Sequence, residues 1–251
     1  MMSGRVAIVT GAGSGLGLAT SDRLAKDAFH VICAGRSGTV DDQTAALCSR
    51  GYSAEAIHVD LSRPAEVERL IETVADRHGR IDVLINNAGF GSRRGDLPPS
   101  LAELTLDEWN AVLAVNLTAP FLLARAVFPY MQRRGWGRIV NVSSRAGRTG
   151  VAAAEAAYSA SKAGLLGLTR YLAMSAGSTG ITVNAIAAGR FATSQANHID
   201  PAMFAEAVAG IPVGRPGDPM EFAATVGFLV SDSAAYITGA TLDVNGGAFM
   251  A

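Results

Sequence analysis

Seven short apolar runs recur along the chain, and longer stretches with a helical pattern separate them. Each run is almost continuously apolar, as expected of a strand that is buried on both faces of a parallel sheet. Alternation of such strands with helices is typical of a doubly wound α/β fold, in which helices cover both faces of the sheet. The runs are RVAIVT, HVICAG, EAIHVD, IDVLINN, GRIVNVSS, GITVNAIAAG and ATLDVN.

Nothing in the composition divides the chain into separate units. We find no linker rich in proline or serine, no compositional shift and no internal repeat within the 251 residues. Hydrophobic residues make up 49% and charged residues 17% of the chain, which is enough apolar material for one large core. We therefore predict a single Rossmann-like, doubly wound domain over residues 1–251, built on a seven-stranded parallel sheet.

The charge and the hydrophobicity of the chain exclude several classes of partner. A formal net charge of −1 gives no overall positive field that would favour nucleic acid or an anionic membrane. We find no run that approaches the roughly 18 apolar residues of a membrane helix, and MMSGRVAIVTG leaves no room for a signal peptide. We therefore expect a cytoplasmic protein that acts on a small-molecule substrate, without a nucleic-acid or membrane partner.

The two cysteines indicate neither a disulfide framework nor a metal site. Cys33 lies within an apolar run and Cys48 within a predicted helix, and their spacing matches no metal-binding motif. We expect both thiols to be buried and unreactive, and we expect no metal in the protein.

A glycine cluster follows the first predicted strand and precedes a helix, in VAIVTGAGSGLGLATSDRLAK. Gly11, Gly13, Gly15 and Gly17 allow the backbone to turn tightly and to approach a pyrophosphate, whose charge the helix N-terminus favours. The strict G-x-G-x-x-G fingerprint is not met, because Leu16 stands where its third glycine should be. A strand-to-helix turn without a ligand has the same composition, so the loop alone leaves both interpretations open.

Tyr158 and Lys162 stand four residues apart in an alanine-rich stretch that predicts a helix, so both lie on one face of it. A free tyrosine has a pKa near 10, and a positive charge close by lowers that pKa. Lys162 would in this way prepare Tyr158 for proton transfer to or from a substrate oxygen. Spacing alone is equally compatible with two surface side chains on a helix.

Ordered motifs along almost the whole chain resemble those of the short-chain dehydrogenase/reductase family. They begin with T-G-x-x-x-G-x-G at residues 10–17 and continue through Asp60 in HVDLS and NNAG at residues 86–89. Within the family the sequence resembles the 3-oxoacyl-acyl-carrier-protein reductases and the gluconate dehydrogenase-like members. The later motifs are Asn116 in VLAVNLTAPF, the set Ser144, Tyr158 and Lys162, and YITGATLDVNGG.

This resemblance implies an enzyme that interconverts a ketone and a secondary alcohol by hydride transfer. Its catalytic set would be Asn116, Ser144, Tyr158 and Lys162. Tyr158 would exchange the proton, and Ser144, the second serine of the pair SS, would hydrogen-bond the substrate oxygen. Lys162 would also bind the nicotinamide ribose, and Asn116 would hold a water molecule that links Lys162 to solvent.

The resemblance also implies a dinucleotide cofactor that spans the glycine loop and the catalytic residues. Asp60 would contact its adenine, and residues 87–89 would line its adenosine side. Ala188 stands where the family commonly has proline, which leaves the nicotinamide turn less constrained. The implied cofactor contacts are Gly11, Ser14, Gly15, Leu16, Gly17, Arg36, Asp60, Leu61, Asn87, Ala88, Gly89, Tyr158, Lys162, Gly189 and Thr193.

The residues at the end of the second predicted strand indicate which of the two nicotinamide dinucleotides the protein binds. An acidic residue about 20 residues after the glycine loop would bind a ribose hydroxyl and repel a 2′-phosphate. The chain has Gly35 and Arg36 there, and a guanidinium binds phosphate through paired hydrogen bonds. We therefore predict NADP(H) in preference to NAD(H), although Arg36 also fits a solvated loop cation.

Five arginines fall on loops that follow strand ends, where open α/β sheets bind ligands. Such a set favours a substrate with a carboxylate, phosphate or sulfonate, although exposed loops are rich in arginine in any case. We expect a small, polar, anionic substrate, such as a sugar acid or a keto acid, bound by these arginines and Ser144. The five are Arg93 and Arg94 in GFGSRRGDLPPSLAEL, Arg145 and Arg148 after the serine pair, and Arg190 in GRFATSQANHIDPAM.

Two other functions stay open. One is a 3-oxoacyl thioester reductase that acts on an acyl-carrier protein, although Thr179 stands where members in fatty-acid synthesis often carry a basic residue. The other is a dinucleotide-binding regulator without turnover, against which the complete catalytic set argues.

Assembly into a homotetramer or a homodimer is expected. The helix that carries Tyr158 has small and apolar residues on more than one face, and family members usually associate through such helices and the C-terminal segment, here GGAFMA. Burial within one subunit would give the same pattern.

Overall fold

The computed structural model describes residues 4–95, 97–193, 205–206 and 208–250, and a parallel sheet forms its centre. Within these residues the sheet has seven strands, and every neighbouring pair is parallel. The predicted α/β fold with a seven-stranded parallel sheet is thus confirmed. The strands are β1 (Val6–Thr10), β2 (His30–Gly35), β3 (Ala54–His58), β4 (Val83–Asn86), β5 (Gly137–Ser144), β6 (Ile181–Ala188) and β7 (Thr241–Val244).

The strand order is β3-β2-β1-β4-β5-β6-β7, so the chain builds the sheet first in one direction from β1 and then in the other. β1 therefore lies between β2 and β4, with Ile8 opposite both Ile32 and Leu84. The connections that leave β1 and β4 diverge at this reversal, and folds of this kind bind ligands in the opening between them. The glycine loop and the NNAG motif both begin at this point.

Helices cover both faces of the sheet because successive side chains of each buried strand point in opposite directions. Val6 and Ile8 of β1 enter one apolar core, whereas Ala7 and Val9 enter the other. Residues of α3, α5 and α6 complete the first core, and residues of α1, α2 and α7 complete the second. These helices are α1 (Gly15–Lys26), α2 (Thr39–Ser49), α3 (Pro64–His78), α4 (Leu106–Leu113), α5 (Ala119–Arg134), α6 (Ala156–Ala176) and α7 (Pro219–Val230).

Local sequence signals set several helix ends. Helix α3 begins at Pro64, whose missing amide hydrogen is not needed in a first turn, and ends before Gly79 at φ 65°. Helix α4 begins after Thr105, which exchanges capping hydrogen bonds with Glu108. A π-helical turn, Ala114–Thr118, joins α4 to α5, and single π-helical turns are frequent at functional sites.

The helical stretch Leu106–Arg134 is long and apolar enough, by length and composition alone, to cross a membrane. This corrects the expectation that no such run exists in the chain. Val112, Leu123 and Val127 on this stretch are completely buried within the protein. A helix that packs against a sheet inside a protein can be as long and as apolar as a membrane-spanning helix. The stretch by itself therefore does not indicate a membrane protein.

The two thiols have different environments. Cys33 is buried in β2, as predicted, but the prediction was wrong for Cys48, which is exposed on α2. The reason is that α2 buries Val40, Thr44 and Leu47, which leaves Cys48 at the margin of the packed face.

Candidate active site

A cleft of about 580 Å³ opens at the carboxyl ends of the strands, above the reversal between β1 and β4. Its walls bring together segments that are far apart in the sequence, from the glycine loop to the end of β6. Every residue predicted to contact the cofactor lies on these walls, and so does Ser144. Those residues are Gly11, Ser14, Gly15, Leu16, Gly17, Arg36, Asp60, Leu61, Asn87, Ala88, Gly89, Tyr158, Lys162, Gly189 and Thr193.

The glycine loop has a backbone shape that side chains would obstruct. Gly11 and Gly15 adopt φ values of 67° and 54°, which disfavour residues with a Cβ. A Cβ on Gly17 would lie 2.2 Å from the carbonyl oxygen of Gly11, so glycine is required where α1 approaches β1. Ser14 precedes α1 in an extended conformation, and its hydroxyl does not cap the helix. The first amides of α1 and this hydroxyl border the cleft and fit a pyrophosphate.

Hydrogen bonds that Thr10 accepts fix the glycine loop to the end of β4. The Thr10 hydroxyl accepts from the amides of Asn87 and Ala88 at 3.0 and 3.1 Å, and Asn87 Nδ2 donates to the Thr10 carbonyl at 2.8 Å. Thr10 is buried, which makes these bonds strong relative to exposed ones. NNAG thus supports the loop and also lines the cleft. Sequence analysis matched Thr10 to a motif but gave it no role, because its partners are distant in the chain.

The end of β2 presents a cation to the cleft. Arg36 is exposed there, close enough to Asp60 to help lower the pKa of that carboxyl, although hydrogen bonds from Ser62 are the main cause. A Cβ on Gly35 would lie 2.7 Å from Val40, so packing against α2 disfavours the acidic side chain that an NAD-specific site would need.

The two serines at the end of β5 have different surroundings. The hydroxyl of Ser143 is buried and donates to the Lys162 carbonyl of α6 at 2.8 Å. Ser144 accepts from the amide of Ala146 at 3.1 Å, and its side chain hydrogen-bonds Tyr158. Ser144, the serine selected by resemblance, is therefore the one that lies beside Tyr158.

Burial controls the proton affinity of both titratable groups on α6. The pKa of Tyr158 is raised above its usual value, because burial outweighs the lowering effects of the hydrogen bond with Ser144 and the charge of Arg93. This corrects the expectation of a lowered pKa, and it keeps Tyr158 protonated at neutral pH. Burial also lowers the pKa of Lys162 to about 8, while its ammonium donates to the Val142 carbonyl at 2.8 Å. Lys162 Nζ lies 5.6 Å from the centre of the Tyr158 ring.

Asn116 lies behind the cleft wall, on the π-helical turn, and is completely buried. Its Oδ1 accepts from the amide of Phe90 at 3.0 Å, and its Nδ2 donates to the Phe90 carbonyl at 2.9 Å and to Ser161 at 3.1 Å. Asn116 thus holds the segment after β4 against α6. A Cβ on Gly89 would lie 3.0 Å from Lys162 Nζ and 3.1 Å from Asn116 Oδ1, so the two side chains meet at this glycine.

Glu155 is a site residue that sequence analysis did not identify. Its carboxylate is buried and caps the N-terminus of α6, where it accepts from the amides of Ala157 at 2.5 Å and Tyr158 at 3.0 Å. The same carboxylate accepts from the amide of Ser92 in the loop after β4 at 3.4 Å, and its charge raises the pKa of Tyr158. An acidic residue just before a predicted helix was the available signal.

Comparisons with known proteins agree with this geometry. A family sequence model described as enoyl-(acyl carrier protein) reductase matches residues 11–248. The 3-oxoacyl-[acyl-carrier-protein] reductase FabG of Vibrio cholerae is 37% identical over 252 residues, covering 99% of both chains. The 3-oxoacyl-[acyl-carrier-protein] reductase of Synechocystis is 40% identical over 253 residues, covering 99% of this chain and 98% of the relative.

The protein belongs to the short-chain dehydrogenase/reductase family. A crystal structure from Beutenbergia cavernae has a TM-score of 0.91 and 38% identity, covering 98% of this chain and 97% of that one. It is provisionally assigned as an NAD(P)-dependent gluconate 5-dehydrogenase and holds NADP at low occupancy. This short-chain dehydrogenase/reductase is accordingly an oxidoreductase.

Arg94 and Arg148, two of the predicted substrate arginines of this short-chain dehydrogenase/reductase, form ion pairs with carboxylates of the described residues. Arg94 binds Glu108, the capping residue of α4, at 2.7 Å. Arg148 binds Asp243 of β7 at 3.2 Å and lies over the ring of Phe249. Both arginines hold active-site loops to the rest of the fold, so their charges are largely compensated.

The other three arginines are connected by their electrostatic effects, which meet at Arg190. Burial lowers the pKa of Arg190, and the charges of Arg145 and Arg93 lower it further. Arg93 also acts on the pKa of Tyr158, and Arg145 donates to the Ala248 carbonyl at 3.2 Å. Arg93 and Arg145 are therefore close enough to Arg190 for their positive charges to act on it. The remainder of the predicted loop GRFATSQANHIDPAM, from residue 194 onward, lies outside the described residues.

The buried Lys162 predicts a pH dependence of stability. Its pKa is about 8 in the folded protein and near 10.4 in an unfolded chain, so between these values the unfolded state binds more protons. Stability must then rise with pH across this window. Relative to Lys162→Met, the wild type should gain on the order of 2 kcal/mol of unfolding free energy from pH 7 to pH 10, measured by urea denaturation.

The chain has one other lysine, Lys26, which is exposed on α1 and paired with Asp22. Lys26→Met is therefore the matched control and should show no comparable gain. A constant difference between the wild type and Lys162→Met over the same pH range would contradict a lowered pKa of Lys162.

Proposed function

We propose that this short-chain dehydrogenase/reductase is an NADP(H)-dependent enzyme that interconverts a ketone and a secondary alcohol on a small, polar, anionic substrate such as a sugar acid or a keto acid. The observation that carries the proposal is the position of Tyr158. It hydrogen-bonds Ser144, shares a helix face with Lys162 and lies on the wall of a cleft shaped for a dinucleotide.

Features at both ends of the cleft support NADP(H) as the cofactor. The amides and the Ser14 hydroxyl at the start of α1 suit a pyrophosphate, and Arg36 beside Gly35 suits a 2′-phosphate. The Beutenbergia cavernae relative holds NADP. When bound, the nicotinamide gives up or accepts the hydride. Gly189, Thr193 and Lys162, which also line the cleft, would hold that part of the cofactor.

Tyr158 would supply the proton. In the direction of reduction, the carbonyl carbon gains a hydride, and the carbonyl oxygen gains the phenolic proton of Tyr158 to become an alcohol. A raised pKa suits this role, because the phenol stays protonated at neutral pH until it transfers its proton to the developing alkoxide. Ser144 would donate a hydrogen bond to the same oxygen and stabilise its growing negative charge. Oxidation follows the same steps in reverse.

Lys162 would reprotonate Tyr158 from the inner side of the site. Its lowered pKa, about 8, makes loss and recovery of a proton possible near neutral pH. Asn116 holds the Phe90 backbone next to this ammonium group. This position supports the predicted role of Asn116 in a proton relay from Lys162 to solvent. Glu155 would act as a positioning residue, because it fixes the first turn of α6 and therefore the direction of Tyr158.

The cluster of Arg93, Arg145 and Arg190 supports an anionic substrate. We retain these three as the candidates for substrate binding because the charges of Arg93 and Arg145 act on Arg190, and Arg93 also acts on Tyr158. Arg94 and Arg148 would shape the loops through Glu108 and Asp243. A carboxylate placed among the three guanidiniums would relieve their mutual repulsion, and paired hydrogen bonds would orient the substrate.

A second candidate is reduction of a 3-oxoacyl thioester. The curated relatives from Vibrio cholerae and Synechocystis carry that name, at 37% and 40% identity. Against it, Thr179 stands at the position where a basic residue would favour an acidic carrier protein. Its hydroxyl instead donates to the Ala176 carbonyl at the end of α6.

We further propose that residues 1–251 form one cofactor-binding and catalytic domain and that the protein is a cytoplasmic homotetramer or homodimer. Tyr171 and Met174 of α6 are exposed, at 63% and 77%, and form an apolar surface that a second subunit would cover.

Replacement of Tyr158 by phenylalanine removes the proposed proton donor with little change in shape. We expect kcat to fall by about 10²–10⁴-fold for gluconate oxidation or for reduction of acetoacetyl-N-acetylcysteamine, whichever the wild type catalyses. NADPH binding, measured by fluorescence, should change little. Tyr171→Phe on the exposed side of the same helix is the control, and full activity of Tyr158→Phe would refute the mechanism.

Replacement of Arg36 by alanine tests the cofactor preference. Loss of a charge-assisted contact should raise the KM for NADPH roughly tenfold or more and leave the KM for NADH nearly unchanged. Arg63→Ala is the matched control, because Arg63 lies beside Asp60 but does not line the cleft. If Arg36→Ala raised the KM values for NADPH and NADH equally, Arg36 would not bind the 2′-phosphate.

Replacement of Arg190 by alanine tests the substrate charge. If gluconate is oxidised, we expect its KM to rise about tenfold, while the KM for its uncharged counterpart sorbitol stays the same. Arg69→Ala, an exposed change on α3, controls for the loss of a positive charge. A different result would favour the thioester reductase instead. In that case the enzyme would turn over acetoacetyl-N-acetylcysteamine much faster than gluconate, and Arg190→Ala would not change that turnover.

A further inference from the structure

A cluster of three metal-binding side chains lies at the amino ends of β2 and β3, the sheet edge opposite the cleft. His30 is the first residue of β2, Glu55 lies near the start of β3, and His78 is the last residue of α3. One potential ligand atom from each side chain lies within 4.8 Å of the other two. The fold creates this cluster, because α3 runs back across the sheet and ends beside the strand starts.

His30 has a buried nitrogen that forms no hydrogen bond. Its Nδ1 lies 2.6 Å from the Ser53 hydroxyl, whereas its Nε2 is buried and has no partner among the described residues. An unpaired buried polar atom destabilises the folded state, so such an atom calls for an explanation, of which a bound ion is one. If Nδ1 carries the hydrogen and donates it to Ser53, the lone pair of Nε2 is directed as in a metal-bound histidine.

Glu55 and His78 provide the other two donors and are already held in place. Glu55 Oε1 lies 3.1 Å from His78 Nε2, and Glu55 Oε2 accepts from Arg77 at 3.3 Å. The rings of His30 and His78 are 4.4 Å apart between centres. His78 and Glu55 are only 22% and 25% exposed, so the cluster is shielded but reachable from solvent.

We propose that His30, Glu55 and His78 bind a divalent metal ion of the zinc class, with water as the remaining ligand. Two imidazole nitrogens and one carboxylate oxygen are a common donor set for Zn²⁺. Bonds of about 2.0–2.2 Å would place neighbouring donors roughly 3.4 Å apart, so the side chains need to close by on the order of 1 Å. Arg77 and Ser53 would then orient Glu55 and His30 from behind.

The expected effect of the ion is on stability. β3 is an edge strand, and the three ligands would join it to β2 and to the end of α3. An ion that binds the folded state and not the unfolded state raises the melting temperature in proportion to the logarithm of its concentration. The site lies away from Tyr158, so its presence does not depend on the proposed function.

Calorimetric titration of the full chain with zinc chloride, after chelator treatment and desalting, tests the site. We expect one zinc ion per chain, with His30→Gln and His78→Gln each weakening the affinity by about tenfold or more. The other two histidines, His58 and His198, provide matched controls, and His58→Gln and His198→Gln should bind as the wild type does. Thermal unfolding without zinc, followed by circular dichroism, checks that each variant is folded.

Zinc should also raise the melting temperature of the wild type and of His58→Gln but not that of His78→Gln. Absence of binding to the wild type would overturn the proposal. Zinc binding that persists in both His30→Gln and His78→Gln would also overturn it. So would binding that is lost in Cys48→Ser, since the exposed Cys48 thiol lies 3.4 Å from the carbonyl of Ala54, next to Glu55, and thiols also bind zinc.

Discussion

The hydrogen bonds between Thr10 and the segment after β4 are the interaction on which the site depends. They join the ends of the two strands that flank the reversal of the sheet, and there the loops diverge to form the cleft. Glycine at residues 11 and 17 allows the backbone to come close enough for these contacts. Buried hydrogen bonds and close packing therefore hold the glycine loop and the segment after β4 together as adjoining walls of the cleft.

Burial of charge gives the catalytic residues their properties. Lys162 and Glu155 are ionisable side chains inside the protein, one on each side of Tyr158 in the first turns of α6. Desolvation raises the pKa of the phenol, which keeps Tyr158 protonated as a donor, and lowers the pKa of the Lys162 ammonium group to about 8, closer to neutral pH. Such burial reduces stability, and the fold offsets it through the carbonyl of Val142 and the amides at the start of α6.

The arginines show why residue type alone does not define a substrate site. All five follow strand ends, as ligand-binding residues do, yet Arg94 and Arg148 neutralise carboxylates of this chain. The charges of Arg93 and Arg145 act on Arg190, and Arg93 also acts on Tyr158. Their shared surroundings, rather than their number, support the proposal of an anionic substrate.

Much of the architecture was determined by the sequence itself. Continuously apolar runs separated by helical stretches predicted seven parallel strands, because only burial on both faces suits such runs. The backbone requirements of the glycine loop indicated a turn suited to a dinucleotide. The family resemblance carried by the ordered motifs implied the residues that line the cleft and the role of Ser144 beside Tyr158.

The tertiary structure decided what depends on contacts between distant segments. It gave Glu155 its role at Tyr158, brought the charges of Arg93 and Arg145 to bear on Arg190, and raised the pKa of Tyr158, which spacing predicted to be lowered. It also brought His30, Glu55 and His78 together, although no motif spacing connects them. Burial and ion pairing act through space, and a sequence pattern reports only neighbours along the chain or along one helix or strand.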